Sequence, residues 1–469
     1  MQVPALATSA LSELTPGVST ESELAVGASV RHALALEAGA FLEVEVRELG
    51  PRTVLSLLDP AGAVVARRQP SAEYVTRYNL LAVAPVSGVY TLEVAAYAQD
   101  GPGRHVVLVH PPRPASDQDT ARAAADAALA EGTRLASEGG ADSREEALAR
   151  LDAAAAGFRS AGDRRGEALA LRDRGLALDG AADARAAAAL QQALASFESL
   201  GDTAGQAVAV NGLGRARYRQ GDKQGALQLH ERAVALAEAA GDGRAAANYL
   251  ISGGVILDHA GWSEKAIDHY TRGLALATKA GSRRAEGRAV NNLGVAYQNL
   301  GEHAKALDYF QRAVLLQRAA GSRLGEVIAV GNVSNIQHTL KDYAQALAAS
   351  EEALALARVA GLSGEEAWLL KNASKIHRVL GDHDRAVETA RRALALARTA
   401  GERDAQAEAL QSLGRALHAG RDHAAAAEAL RQAATLAAEI GERFLEADTL
   451  LALAGVEGDR GRLPEAVEH

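Results

Sequence analysis

The thirteen histidines are the first residues to weigh as metal ligands. None falls in a His-Glu-x-x-His arrangement, the helical spacing that sets two imidazoles on one face. His303, His383 and His423 recur at one position of a forty-residue period. Packed helices lie about 8–10 Å apart, so His303 and His383, two periods apart, cannot share an ion. His383 and His423 are one period apart, but the sequence marks no third ligand for them. The chain has no cysteine, which removes thiolate metal sites, cysteine nucleophiles and disulfides. The carboxylate pairs Glu351-Glu352 and Glu365-Glu366 are sequence neighbours. On a helix they point about 100° apart and read as solvated faces, not as an acid and its base. No glycine run is followed by Lys-Ser or Lys-Thr, so no phosphate loop is present. Nothing marks a Ser-His-Asp set. The reading assigns no catalytic residue, no metal ligand and no cofactor, and treats the chain as a non-enzyme.

What remains is binding, and a repeat supplies the elements that would present it. Gly201, Gly241, Gly281, Gly321, Gly361, Gly401 and Gly441 are forty residues apart, with Gly162 thirty-nine before the first. Gly221, Gly261, Gly301, Gly381 and Gly461 fall halfway between. Each follows an apolar-periodic stretch, as expected of helix ends that need a left-handed backbone. The clearest unit runs from Ala289 to Gly321. Its Leu293-Gly294, Tyr297, Gly301, Ala306, Phe310 and Ala313 sit at the spacings of tetratricopeptide repeats. The small residues let two helices approach, and Tyr297 and Phe310 fill the space left. HEAT and armadillo repeats share the period but not this pattern. Leu213-Gly214 with Ala226 and Ala233, and Leu413-Gly414 with Ala426 and Ala433, repeat it. The expectation is eight helix pairs plus a fragment, in which Leu463 and Ala466 begin a further helix that stops at His469. A solenoid ordinarily ends in a polar cap, so the natural protein is expected to continue.

The first part of the chain reads differently. SVRHALAL, FLEVEVREL, TVLSLL, AVVARR, YNLLAVA, YTLEVAAY and HVVLVH alternate at period two between Gly-, Pro- and Asp-rich turns. That pattern predicts an antiparallel β-sandwich over 21–110. A disordered leader over 1–20 is expected before it, and a proline-stiffened linker over 111–120 after it. The solenoid then fills 121–469, truncated in its last repeat. The fold class is mainly α, a tetratricopeptide solenoid behind a small sandwich. The stretches AGAFLEVEV, LLDPAGAVV and SGVYTLEV resemble bacterial pre-peptidase C-terminal type sandwiches. With the helices from Gln118 to Leu171, the whole chain resembles the N-terminal portion of bacterial CHAT-domain tetratricopeptide proteins. In those a caspase-like domain with a His and Cys dyad follows the repeats. The chain lacks that segment and has no cysteine, so the dyad transfers to no position here.

The resemblance to tetratricopeptide arrays implies that the first helix of each pair lines a concave face. Counting from Leu293-Gly294, the groove positions hold Asn211, Asn291, Asn292, Asn332 and Asn372, then Asn335 and Lys375, then Tyr218, Gln298, His338 and Arg378. Asn248 lies one turn before the groove position of Ser252. An amide both donates and accepts, so a row of asparagines can hold the backbone of an extended peptide whatever its sequence. The plainer reading makes them tolerated polar residues on a wet helix face. Lys371, Lys375, Arg378 and Arg415 add a basic stretch suited to an acidic or C-terminal carboxylate ligand. Trp368, one turn before Asn372, is an anchor candidate that could equally pack against the next repeat.

The net charge of −9 argues against nucleic acid as the main ligand. No apolar run reaches the ~18 residues that span a bilayer, so no membrane insertion is expected. The N-terminus carries no signal peptide as it stands, and export or a cytoplasmic location stay open. The function expected is a scaffold that captures a protein or extended peptide, as the recognition or regulatory part of a CHAT-type peptidase. A contact with that missing C-terminal domain is part of the expectation. Two alternatives stay open: a regulatory fragment of a cysteine peptidase, and a self-assembling structural solenoid.

Overall fold

Alternating side chains give each N-terminal strand one apolar face, and two such faces close on each other. The computed structural model describes residues 12–25, 27–49, 52–69, 77–96, 103–138, 141–180 and 184–461. One sheet holds β1 (Ser12–Glu13), β3 (Ser29–Leu36), β8 (Gly88–Ala96), β5 (Thr53–Leu58) and β6 (Val64–Arg68), in that order. The other holds β10 (Arg113–Pro114), β4 (Ala40–Glu48), β9 (Gly103–Val109) and β2 (Ser19–Leu24), with β7 (Arg77–Val83) on β4. Among the described strands β1 runs parallel to β3 and every other pairing is antiparallel. Val44, Val46, Leu55, Leu57, Leu80, Tyr90 and Leu92 fill the core between the sheets. In the expected turn after β5, Asp59 Oδ1 accepts from the Ala61 and Ala63 amides, and Gly62 takes a positive φ.

The boundaries move outward from the sequence reading. Of the expected leader, residues 1–11 lie outside the described residues. Ser12–Glu13 is already a strand, and β2 begins at Ser19. Period-two reading passed over β2 because STESEL buries only Leu24, at the edge beside β9. The expected linker carries β10, and its second half is the start of a helix at Asp117. Pro111 and Pro112 precede that pairing, where a missing N–H is harmless.

The helices come in pairs, and from α4 on short turns join one helix to the next. The leading pairs are α1 (Asp117–Glu138) with α2 (Ala141–Ser160) and α3 (Arg164–Gly180) with α4 (Arg185–Leu200). Then follow α5 (Thr203–Arg219) with α6 (Lys223–Ala239), α7 (Gly243–His259) with α8 (Ser263–Lys279), and α9 (Arg283–Asn299) with α10 (His303–Ala319). After these come α11 (Arg323–Thr339) with α12 (Tyr343–Ala360), α13 (Ser363–Val379) with α14 (His383–Ala400), and α15 (Arg403–Ala419) with α16 (His423–Ile440). The last described helix is α17 (Arg443–Asp459), and the fragment around Leu463 and Ala466 lies outside the described residues. No described helix is long and apolar enough to cross a membrane.

One device starts and stops these helices. Asp202, Asp222, Asp242, Asp382 and Asp422 cap N-termini by accepting a backbone N–H three residues on. The periodic glycines supply the left-handed residue at the C-terminal ends. At the two places where the half-period glycine is missing, Lys341 and Arg421 take that conformation themselves, with φ of 66° and 65°. Glycines inside the first helices allow close approach. A Cβ on Gly254 would stand 2.4 Å from the Tyr270 ring, and one on Gly414 would stand 2.5 Å from Leu430.

Contacts divide the chain into two units, Met1–Ala296 with Ala319–Ser322, and Tyr297–Arg318 with Arg323–His469. In the first, the sandwich packs on its own helices. Phe41 and Leu81 join Leu129, Leu151 and Phe158 in one apolar cluster. Buried charge surrounds it. Asp126 accepts the Leu81 amide at 3.0 Å and lies 4.0 Å from Arg68, which also stands 4.0 Å from Asp173. Glu48, at the end of β4, accepts from Arg244 of α7 at 2.8 Å and from the Thr53 amide at 2.6 Å. In the second unit, Tyr297 stacks on Tyr309 at 5.2 Å, and Phe310 is fully buried.

Candidate functional site

The first helices of successive pairs lie side by side, so residues about forty apart become neighbours. In the second unit α13, α15 and α17 shape a concave pocket of about 440 Å³. Lys371, Lys375 and Arg378 enter it from α13, Glu408, Gln411 and Arg415 from α15, and Asp448 from α17. These helices are amphipathic in an unusual sense. Their apolar stripe packs on the second helices, and the opposite stripe carries charge into the concavity.

Part of that charge is neutralised in place. Lys371 pairs with Glu408. Arg415 Nη2 donates to Asp448 Oδ1 at 2.8 Å. Gln411 Nε2 donates at 2.9 Å both to the other Asp448 oxygen and to Thr449 Oγ1. Lys375 and Arg378 have no ion pair or hydrogen bond among the described residues. Burial lowers the Lys375 ammonium below its usual range, and the cations Lys371, Arg415 and Arg378 lower it further against an opposing pull from Glu408. Burial and then Arg415 lower the Arg378 guanidinium in the same direction. Both basic side chains come from the last turns of α13, where a cation also meets the negative end of the helix. Asp404 and Glu442, at the opposite rim near the starts of α15 and α17, carry no partner among the described residues either. The pocket thus has a basic rim and an acidic rim.

The asparagines are placed less openly than their spacing implies. In the second unit Asn332 and Asn335 are half-buried, whereas Asn372 is buried. In the first unit Asn291 and Asn292 are half-buried and lean on each other, Asn291 Nδ2 donating to Asn292 Oδ1 at 3.4 Å. Asn248 is buried and accepts from Arg288 Nη1 at 3.1 Å, which ties α7 to α9. Asn211 is only 1 % exposed, so its amide is covered as it stands. Asn211, Asn248 and Asn372 are thus covered and do not open onto the concavity. Trp368 is half-buried with its ring across Gly331 of α11, where a Cβ would come within 2.4 Å of it. It packs on the preceding repeat, not on the next one as the sequence alternative had it.

Sequence reading passed over Glu408, Gln411 and Asp448. Their signal was a spacing of 37 residues, from Lys371 to Glu408 and from Gln411 to Asp448. It becomes visible only once adjacent first helices are known to lie in that register.

Residues 286–358 match one tetratricopeptide repeat family model and residues 207–240 match another. Among curated proteins no relative matches. Several solved structures share the fold. The apo form of the quorum sensor NprR from B. thuringiensis is 16% identical, with a TM-score of 0.51 over 70% of this chain and 94% of that one. Aspartyl phosphate phosphatase F from Bacillus subtilis is 13% identical, with a TM-score of 0.50 over 72% of this chain and 92% of that one. A signal transduction ATPase with a tetratricopeptide repeat sensor from Pyrococcus horikoshii is 14% identical, with a TM-score of 0.50 over 73% of this chain and 52% of that one. The chain carries tetratricopeptide repeats in a solenoid fold.

Proposed function

We propose that the chain is a peptide-binding scaffold whose α13–α15–α17 pocket takes a segment bearing a carboxylate, at a C-terminus or on an acidic side chain. One observation carries this reading. Lys375 and Arg378 point into a concave surface without an ion pair or hydrogen bond among the described residues, beside Lys371 and Arg415, which have one ion pair each. Unpaired cations crowded together are costly, and a carboxylate between them would relieve the repulsion and accept charge-assisted hydrogen bonds. Asn332 and Asn335, half-exposed in the same unit, are candidates to hold the peptide backbone.

The test is a display of peptides with free and with amidated C-termini. Wild type should select carboxylate-bearing sequences. Each charge-assisted contact is worth about 1.5–3 kcal/mol, so Lys375→Glu with Arg378→Glu should weaken the selected peptides by about a hundredfold or more. Equal binding by wild type and the double variant would remove the pocket from the function. On the same reading the chain is the recognition or regulatory part of a CHAT-type peptidase, and its sandwich is of the pre-peptidase type. The order of sandwich, leading helices and long repeats supports this. Genomic sequence continuing past His469 without a caspase-like segment holding a His and a Cys would count against it.

A further inference from the structure

The histidines that recur along the repeats acquire different neighbours, and at one repeat the surroundings change character. His303, His383 and His423 each open a second helix, and each has a buried Nδ1 without a hydrogen-bond partner among the described residues. What distinguishes His423 is what stands beside it. Five residues before it, in the last turn of α15, is His418, whose ring meets that of His423 edge-on at 5.3 Å between centroids. Forty-one residues after His418, at the end of α17, is Asp459, whose Oδ2 lies 2.8 Å from His418 Nε2. One ligand atom from each of His418, His423 and Asp459 falls within a sphere where all are within 4.8 Å of one another. The corresponding places elsewhere do not repeat this. Five residues before His383 is Arg378, and five before His303 is Gln298. The residue forty-one after Arg378 is Ala419, and forty-one after Gln298 is Thr339.

We infer that His418, His423 and Asp459 form a binding site for a divalent transition metal of the zinc class, which clasps α17 to the α15–α16 pair. Imidazole and carboxylate are the ligand types such ions take, with bonds of about 2.0–2.2 Å. Ligand atoms around a tetrahedral ion then sit about 3.3 Å apart. The three atoms stand within 4.8 Å of one another on exposed or half-exposed side chains, and the ion would draw them to that spacing. Three protein ligands leave a fourth position for water. The ligands come from the ends of three helices, so the ion would close the turn between α15 and α16 onto the last described helix. Metal binding energy then becomes stability for that helix. The sequence marks no third ligand for His383 and His423, since no local spacing joins His423 to Asp459 on α17. The other two ligands lie on first helices.

The experiment uses the full chain without any histidine tag. Cobalt(II) titration should give saturable, stoichiometric binding with visible absorption of a tetrahedral or five-coordinate site, displaced by zinc. His418→Ala, His423→Ala and Asp459→Asn should each weaken binding by about tenfold or more, while His383→Ala, at the same repeat position as His423, leaves it unchanged. Zinc should raise the thermal midpoint of wild type but not of His423→Ala. Metal-free circular dichroism of each variant, compared with wild type, reports whether it is folded. Absence of saturable binding at micromolar metal, or binding that survives all three substitutions, would mean an adventitious ion only and overturn the site.

Discussion

Among single residues, the buried histidines carry the clearest consequence. His105 on β9 and His230 on α6 are almost wholly buried, and burial pushes each imidazole down to about 4. For His105 the neighbouring His32 adds to the effect, and for His230 the charges of Arg215 and then His269 do. In the unfolded chain both titrate near their ordinary value of about 6.5. Between those values the unfolded chain binds more protons than the folded one. Stability is therefore fully present above about pH 6.5 and is lost as the pH falls toward 4. Each histidine accounts for about 3 kcal/mol across that window. His105 also has neither ring nitrogen hydrogen-bonded among the described residues. His105→Leu should cost nothing at neutral pH and flatten the acid limb of a denaturant-midpoint-against-pH curve. Parallel curves for wild type and variant would refute the assignment.

The element scale is governed by how each helix ends. A left-handed residue must follow each one for the chain to turn back, and glycine adopts it without the steric cost of a Cβ. Lys341 does so as a non-glycine at the turn between α11 and α12. An L-residue there loses roughly 1–2 kcal/mol, offset in part by the entropy glycine gives up on folding. Lys341→Gly should raise stability by about 0.5–1 kcal/mol, measured by urea denaturation. Gly381→Ala, at the same position one period on, should lower it by about 1 kcal/mol. A neutral or destabilising Lys341→Gly would show that the lysine side chain makes up for its backbone.

At the scale of the whole molecule, the sandwich is tied to its helices by buried ion pairs. Glu48 and Arg244 are 196 residues apart in the chain and both buried. Removing one partner leaves the other as an uncompensated charge, which costs about 3–5 kcal/mol. Arg244→Met alone should therefore destabilise the first unit by that amount in chemical denaturation. Glu48→Gln with Arg244→Met should recover most of it. If the two single variants and the double variant simply add, the pair is not coupled and other contacts hold the interface.

Strand and helix types, the helix and turn lengths that make up the forty-residue period, and the capping chemistry were all determined by local sequence. Thr53–Leu58 and Ser29–Leu36 are strands to the residue as their alternation predicts, and the glycine series marks every turn at which it occurs. These features depend on neighbours a few residues away, through steric limits on φ and on side-chain direction. The site was legible in part. Lys371, Lys375, Arg378 and Arg415 could be placed on one surface by counting, because all lie on first helices. Which cations stay unpaired depends on Glu408 and Asp448, one repeat further on, and that register is set by how helix ridges pack across the solenoid. The covering of Asn211 and Asn248, Trp368 lying across Gly331, Glu48 meeting Arg244, and His418 meeting Asp459 were decided by tertiary structure. Each joins segments whose approach follows from packing of whole elements, and no short-range pattern encodes it.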